Sequence, residues 1–138
     1  MSSTSMALNQ RGITIGSSQE PATPGSLNTW LLAHSGYVAG TDDLEESAVM
    51  AIAPGRIRWT NSSMHRTNDI EWSAVVRILD AGQQACILNV DHGGHFVLAV
   101  GYDKAVGGDL LYVNDPGFHR QAYSYSTDVV GYRLYDLN

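Results

Sequence analysis

The chain changes character at Gly82, from segments with helical periodicity to segments patterned like β-strands. Before this glycine, apolar side chains recur three and four residues apart, whereas after it runs of branched and aromatic residues are separated by turn residues. Helices followed by an antiparallel sheet are the pattern of an α+β fold. With 138 residues the chain can bury one core, so we expect a single domain over residues 1–138.

Four helices are predicted ahead of this change. The first covers residues 2–10, where hydroxyl side chains suit a helix N-terminus. The second covers residues 27–34 and ends at Gly36, and the third begins with the acids at residues 42–46 and stops before Pro54. The fourth presents an amphipathic face made of Ile70, Ala74, Val75, Ile78 and Leu79.

Four strands are predicted after Gly82, at residues 84–90, 95–102, 110–114 and 132–137. The turn residues Gly107, Gly108 and Asp109 join the second and third strands as a hairpin. The stretch around Tyr123 and Tyr125 alternates like a further strand with one aromatic face. That face fits either core packing or a surface for a partner.

Two residues in the strand region carry side chains of chemical interest. His95 lies in Gly94-His95-Phe96-Val97, which is followed by Gly101-Tyr102-Asp103, and Asp115 lies in Val113-Asn114-Asp115-Pro116. In many hydrolases, a histidine that is oriented by a carboxylate acts as the general base. A simpler reading makes His95 a residue that joins two strands through Asp115, and makes Asp115 a turn former before proline.

This ordered set of motifs resembles the bacteriocin-processing (double-glycine) branch of the papain-like cysteine peptidases. The match includes the helix end Leu79-Asp80-Ala81-Gly82 and the segment Pro24-Gly25-Ser26-Leu27-Asn28. The resemblance implies a papain-like α+β fold, with N-terminal helices packed on a C-terminal antiparallel sheet. It also implies that His95 and Asp115 are the histidine and aspartate of a catalytic triad.

The nucleophile of that family opens the first helix, in a pattern like Cys-x-x-Thr-Ser-x-Ala. Here Thr4, Ser5 and Ala7 match, and Met1 falls on the cysteine position. The family's oxyanion-hole glutamine would lie upstream of Met1. A thioether has no proton to lose, so we expect His95 and Asp115 to be vestigial and the site, between the first helix and these strands, to be non-catalytic.

The remaining candidate residues are two histidines with an aspartate, and one cysteine. His92, His95 and Asp115 are a weak alternative as metal ligands, because a glycine turn does not preset their geometry. Cys86 lies in an apolar strand, where a thiol is expected to pack as a small hydrophobic side chain. We therefore expect no metal and no other cofactor.

The acidic composition restricts the partners that we expect. The formal net charge is −6 and the basic residues are scattered, so nucleic acid is an unfavourable partner. No apolar run suits membrane insertion and no standard signal peptide is visible, so synthesis in the cytoplasm is expected. Protein partners or a peptide ligand fit best.

The sequence therefore favours a pseudo-peptidase, a degenerate papain-like domain that acts as a structural or binding module. One setting that fits is a subunit of a larger assembly, such as a phage virion. The alternative is an active cysteine peptidase or amidase whose cysteine and glutamine lie upstream of the given start.

Overall fold

The computed structural model describes residues 1–60, 63–66 and 71–138. Within these residues, cap and turn residues set the ends of the α-helices. The α-helices are α1 (Ser2–Gln10), α2 (Pro24–Ala33) and α3 (Trp72–Ala81). Thr23 Oγ1 accepts a hydrogen bond from Ser26 N–H at 3.1 Å and so caps α2. Gly82 ends α3 in the left-handed region, at φ 66°.

The described residues form two compact units, Met1–Thr60 with Asp136–Asn138, and Asn61–Tyr135. The expectation of a single domain stays a prediction. The strands of the chain are β1 (Thr14–Ile15), β2 (Glu20–Pro21), β3 (Ile57–Arg58), β4 (Met64–Arg66), β5 (Gln84–Val90), β6 (His95–Tyr102), β7 (Leu110–Asn114), β8 (Ala122–Ser124) and β9 (Gly131–Leu137).

In the first unit, the hydroxyl side chains of α1 are buried instead of capping the helix. The N-terminus of α1 has no side-chain cap, and Ser3, Thr4 and Ser5 are buried together with Ala7 and Leu8. Ser5 Oγ donates to the carbonyl of Ser2 at 2.8 Å. Short antiparallel pairs join β1 to β2, and β3 to the last residues of β9.

The helix predicted from residue 42 to Pro54 is wrong in both its start and its type. The structure has a 3₁₀ helix at Glu46–Ile52, in which Val49 is buried. The preceding segment instead pairs with residues 36–38, because Val38 N–H donates to Asp43 O and Glu45 N–H donates to Gly36 O, each at 2.8 Å. Backbone groups that are paired in this way cannot also begin a helix.

The second unit contains an antiparallel sheet that α3 covers on one face. The strand order is β9-β5-β6-β7-β8, and β4 pairs with β9. The predicted bounds of β5, β6 and β7 are confirmed, and β9 begins one residue earlier than predicted. Ile70 of the predicted helical face lies outside the described residues. Val75, Ile78 and Leu79 of that face pack on the core of the sheet, and the α+β class is confirmed.

The core of this unit resolves the two interpretations of the tyrosine stretch. Tyr123 and Tyr125 are buried in the cluster that holds Leu88, Val97 and Leu111. This aromatic face is therefore part of the core.

Within the described residues, no helix has the length and apolar character needed to cross a bilayer.

Candidate functional site

His95 and Asp115 come together because β6 and β7 are antiparallel neighbours. His95 is the first residue of β6, and Asp115 directly follows the last residue of β7. The register pairs Leu98 with Asn114, so the start of β6 lies beside the end of β7. His95 Nε2 and Asp115 Oδ1 are 2.7 Å apart, and their side chains are 17% and 1% exposed.

Asp115 accepts hydrogen bonds from four groups. Its Oδ1 accepts from His95 Nε2 and from the backbone N–H groups of Gly117 and Phe118, the latter two at 2.8 and 2.9 Å. Its Oδ2 accepts from the hydroxyl of Tyr123 at 2.8 Å. The carboxylate therefore does what both interpretations predicted, because it forms the turn after β7 and also holds the histidine.

This set of donors determines the charge of Asp115. Burial raises the pKa of its carboxyl, but hydrogen bonds from Gly117 N–H, His95, Phe118 N–H and Tyr123 outweigh burial and lower the pKa to about 2. Burial, followed by the hydrogen bond to Asp115, raises the pKa of Tyr123 to about 12. At neutral pH the site holds a carboxylate and a neutral phenol.

The ionised carboxylate selects one tautomer of a neutral His95. A carboxylate is only an acceptor, so Nε2 carries the proton and donates it to Asp115. Nδ1 is then the nitrogen with a lone pair for a proton, a water molecule or a ligand donor. The arrangement can perform general acid–base chemistry or hold a hydrogen-bonding ligand.

Three residues that support the pair were not identified as site residues from the sequence. Phe118 meets the His95 ring edge to face, with ring centroids 5.0 Å apart. A Cβ atom at Gly117 would lie 3.1 Å from His95 Cε1, so glycine leaves room for the ring. Tyr123, the third, was noted only as part of an alternating stretch. The two residues after Asp115-Pro116 had a usable signal, because Asx turns bond to backbone N–H groups two and three residues on.

A cavity of about 520 Å³ lies next to these supporting residues, lined in part by Phe118 and Tyr123. Asp91 and His92, in the turn between β5 and β6, also line it. Both have φ of 52°, in the left-handed region that is uncommon for residues other than glycine. His92, which the sequence offered as a metal ligand only in a weak alternative, is thus one of the residues that line this cavity. Among the described residues, no group of three or more histidine, cysteine or acidic side chains is arranged to hold a metal ion.

Two further residues bear on the nucleophile: Cys86, the one cysteine of the sequence, and Met1, which falls on the expected cysteine position. Cys86 is 1% exposed within the core of the second unit. Burial raises the pKa of its thiol to about 12, so it is un-ionised at neutral pH. Met1 belongs to the first unit, where it is the N-cap residue of α1 and its carbonyl accepts from Ser5 N–H at 3.0 Å.

The lowered pKa of Asp115 predicts a dependence of stability on acid pH. The unfolded carboxyl has a pKa of about 3.9, and the folded one about 2. The stabilisation is therefore present above about pH 4 and is lost as the pH falls toward 2, by roughly 2 kcal/mol in total. Urea unfolding between pH 5 and pH 2 measures this loss. Asp115→Asn should lose less over that interval, and an identical loss in both proteins would contradict the assignment.

Comparison with known proteins adds one finding. The model of the Peptidase_C39 like family matches residues 1–133. Neither the curated proteins nor the solved structures gave a match. The matched range contains both α1 and the strands that carry His95 and Asp115, and the α+β architecture agrees with a papain-like fold. The chain therefore belongs to the Peptidase_C39 like family.

Proposed function

We propose that this chain is a catalytically degenerate member of its family, a pseudo-peptidase that binds protein or peptide partners. The main support is that the sole cysteine of the sequence, Cys86, is buried and has a pKa of about 12, while His95 and Asp115 form a complete pair. A peptidase of this class attacks with a thiolate that is accessible to the substrate. Cys86 meets neither requirement.

The family motif supplies the second support. Thr4, Ser5 and Ala7 resemble the residues that follow the nucleophile in related proteins, and this resemblance supports our proposal that Met1 occupies the nucleophile position. A methionine thioether cannot form a productive acyl-enzyme, because its sulfur has no proton to lose and already carries two carbon substituents. The packing of helix and sheet does not require a thiol, so the fold can persist without the chemistry.

A binding role gives the His95–Asp115 pair a use that does not need a nucleophile. With Nε2 held by Asp115, Nδ1 can accept a hydrogen bond from a backbone N–H group or a side chain of a bound peptide. The neighbouring cavity offers space for one side chain of that peptide. Membership of a larger assembly, such as a phage virion, stays a prediction, and co-purification of stoichiometric neighbours from the natural source would support it.

The second candidate function is that of an active cysteine peptidase or amidase whose cysteine and oxyanion-hole glutamine lie outside the given sequence. The observation that favours it is the state of Asp115. Three donors besides His95 hold this carboxylate in place, and the carboxylate in turn orients the His95 ring as a catalytic base would be oriented. In a chain that carried the missing thiol, His95 would act as the general base and Asp115 would orient it.

Peptide hydrolysis separates the two candidates. Incubation of the purified chain with peptides that contain Gly-Gly sequences, followed by mass spectrometry, should show no cleavage above the level of His95→Ala. His119→Ala is the matched control, because this exposed histidine forms no side-chain hydrogen bond, ion pair or ring contact with the described residues. Cleavage by the wild type and by His119→Ala that is lost in His95→Ala would overturn the proposal and establish the hydrolase.

A further inference from the structure

The cavity beside the His95–Asp115 pair has walls of mixed chemistry. Its apolar surface includes Phe118, which is 60% exposed, and Val130. Its charged groups are Asp91, Arg120 and Asp128. A volume of about 520 Å³ is within the range of sites that hold small ligands or single side chains. The chemistry of the occupant depends on which of these charges is free.

Arg120 is already neutralised within the protein. Its Nη2 donates to Asp128 Oδ2 at 2.9 Å, and its Nε donates to the carbonyl of Ala122 at 2.8 Å. The guanidinium also lies over the ring of Tyr123, with Cζ 4.0 Å from the ring centroid. Arg120 and Asp128 therefore cancel one another as charges, and the guanidinium is fixed in place.

Asp91 supplies the charge that remains. Within the part of the chain that the structure describes, its carboxylate has no hydrogen bond and no ion pair. Because Arg120 is paired with Asp128, this carboxylate is the acidic group of the lining that no ion pair balances. An occupant with a cationic head and an apolar stem would pair with Asp91 and cover Phe118.

We propose that this cavity binds the side chain of an arginine or lysine in a bound peptide. The proposal rests on the proposed function, because it takes the occupant to be part of a peptide held beside the pair. Two walls of the cavity contact that pair directly, since Phe118 packs against the His95 ring and the Tyr123 hydroxyl donates to Asp115. A side chain in the cavity therefore places the backbone of its peptide near His95.

Matched small probes test the charge requirement. Nα-acetyl-arginine amide and Nα-acetyl-citrulline amide have nearly the same shape and differ in charge. Each is titrated into the whole chain at low millimolar concentration, with the His95 ring resonances followed by NMR. The arginine probe should bind roughly fivefold more tightly than the citrulline probe, as expected for one partly exposed ion pair.

Asp91→Asn removes the charge with little change of shape. Asparagine tolerates the left-handed region as aspartate does, so the turn with φ of 52° at this position is retained. This variant should bind both probes equally. Asp43→Asn is the control, because it makes the same charge change at an exposed residue outside the cavity lining and should keep the preference.

Several results would overturn the proposal. These are equal binding of the two probes by the wild type, a preference that persists in Asp91→Asn, or tighter binding of Nα-acetyl-glutamate amide. The failures of the two proposals can be told apart. Peptide cleavage that depends on His95 would refute the pseudo-peptidase proposal and leave the cavity assignment intact. Absence of the arginine preference, without any cleavage, would refute the cavity assignment and leave the pseudo-peptidase proposal standing.

Discussion

Replacement of Asp115 by alanine is expected to lower the free energy of unfolding by about 3 kcal/mol. The side chain is 1% exposed and accepts hydrogen bonds from four groups. In the variant the backbone N–H groups of Gly117 and Phe118 can turn to water, because they lie in an exposed turn. The Tyr123 hydroxyl cannot easily do so, because Tyr123 is buried in the core, and this unsatisfied donor dominates the loss.

Two further variants isolate the cause. Asp115→Asn keeps one carbonyl oxygen as an acceptor but removes the charge, so at neutral pH it should lower the free energy of unfolding by about 2 kcal/mol, as protonation of Asp115 does. Asp103→Ala is the matched control, since Asp103 Oδ1 accepts one hydrogen bond from an exposed backbone N–H at Ala105. It should change stability by less than about 1 kcal/mol. Urea denaturation measures all three variants, and equal losses in Asp115→Ala and Asp103→Ala would refute the role of the four bonds.

Most of the second unit could be predicted from the sequence because its strands are long and clearly bounded. Runs of branched residues between Gly82 and the glycine turn at 107–108 specify β5 and β6, and the hairpin then sets β7 beside β6. That hairpin alone brings residue 95 near residue 115. The meeting of His95 and Asp115 was therefore accessible to sequence reasoning.

Other features had no local signal. The two-residue strands β1, β2 and β3 are too short to show alternation. The acids at residues 42–46 favoured a helix locally, but tertiary pairing with residues 36–38 prevailed. The bond from Tyr123 to Asp115 depends on how β8 packs, and the left-handed conformations of Asp91 and His92 depend on their turn. Asp91, His92 and Tyr123 all line the cavity, so this part of it had no signal in the sequence.

The second large effect is expected for the reactivity of Cys86. A pKa of about 12 in place of the ordinary value near 9 reduces the thiolate fraction at neutral pH by about a thousandfold, and burial removes access as well. Iodoacetamide should therefore leave Cys86 unlabelled in the native protein and should label it after denaturation. His95→Ala should leave this behaviour unchanged.

An internal reference makes the rate quantitative. Ala105→Cys places a second thiol in the exposed loop between β6 and β7, and this thiol should be alkylated at the rate of an ordinary accessible cysteine. Comparison of the two sites in one sample gives the ratio of their rates. A ratio near one would contradict both the burial of Cys86 and its raised pKa.

The most direct test of the pseudo-peptidase proposal is the same alkylation performed on protein isolated from its natural source, followed by digestion and mass mapping of every labelled cysteine. The proposal predicts no rapidly alkylated cysteine in the native protein, and labelling of the peptide that contains Cys86 after denaturation. A cysteine that reacts within minutes in native buffer, and more slowly when His95 is replaced by alanine, would contradict it and identify the nucleophile of an active peptidase.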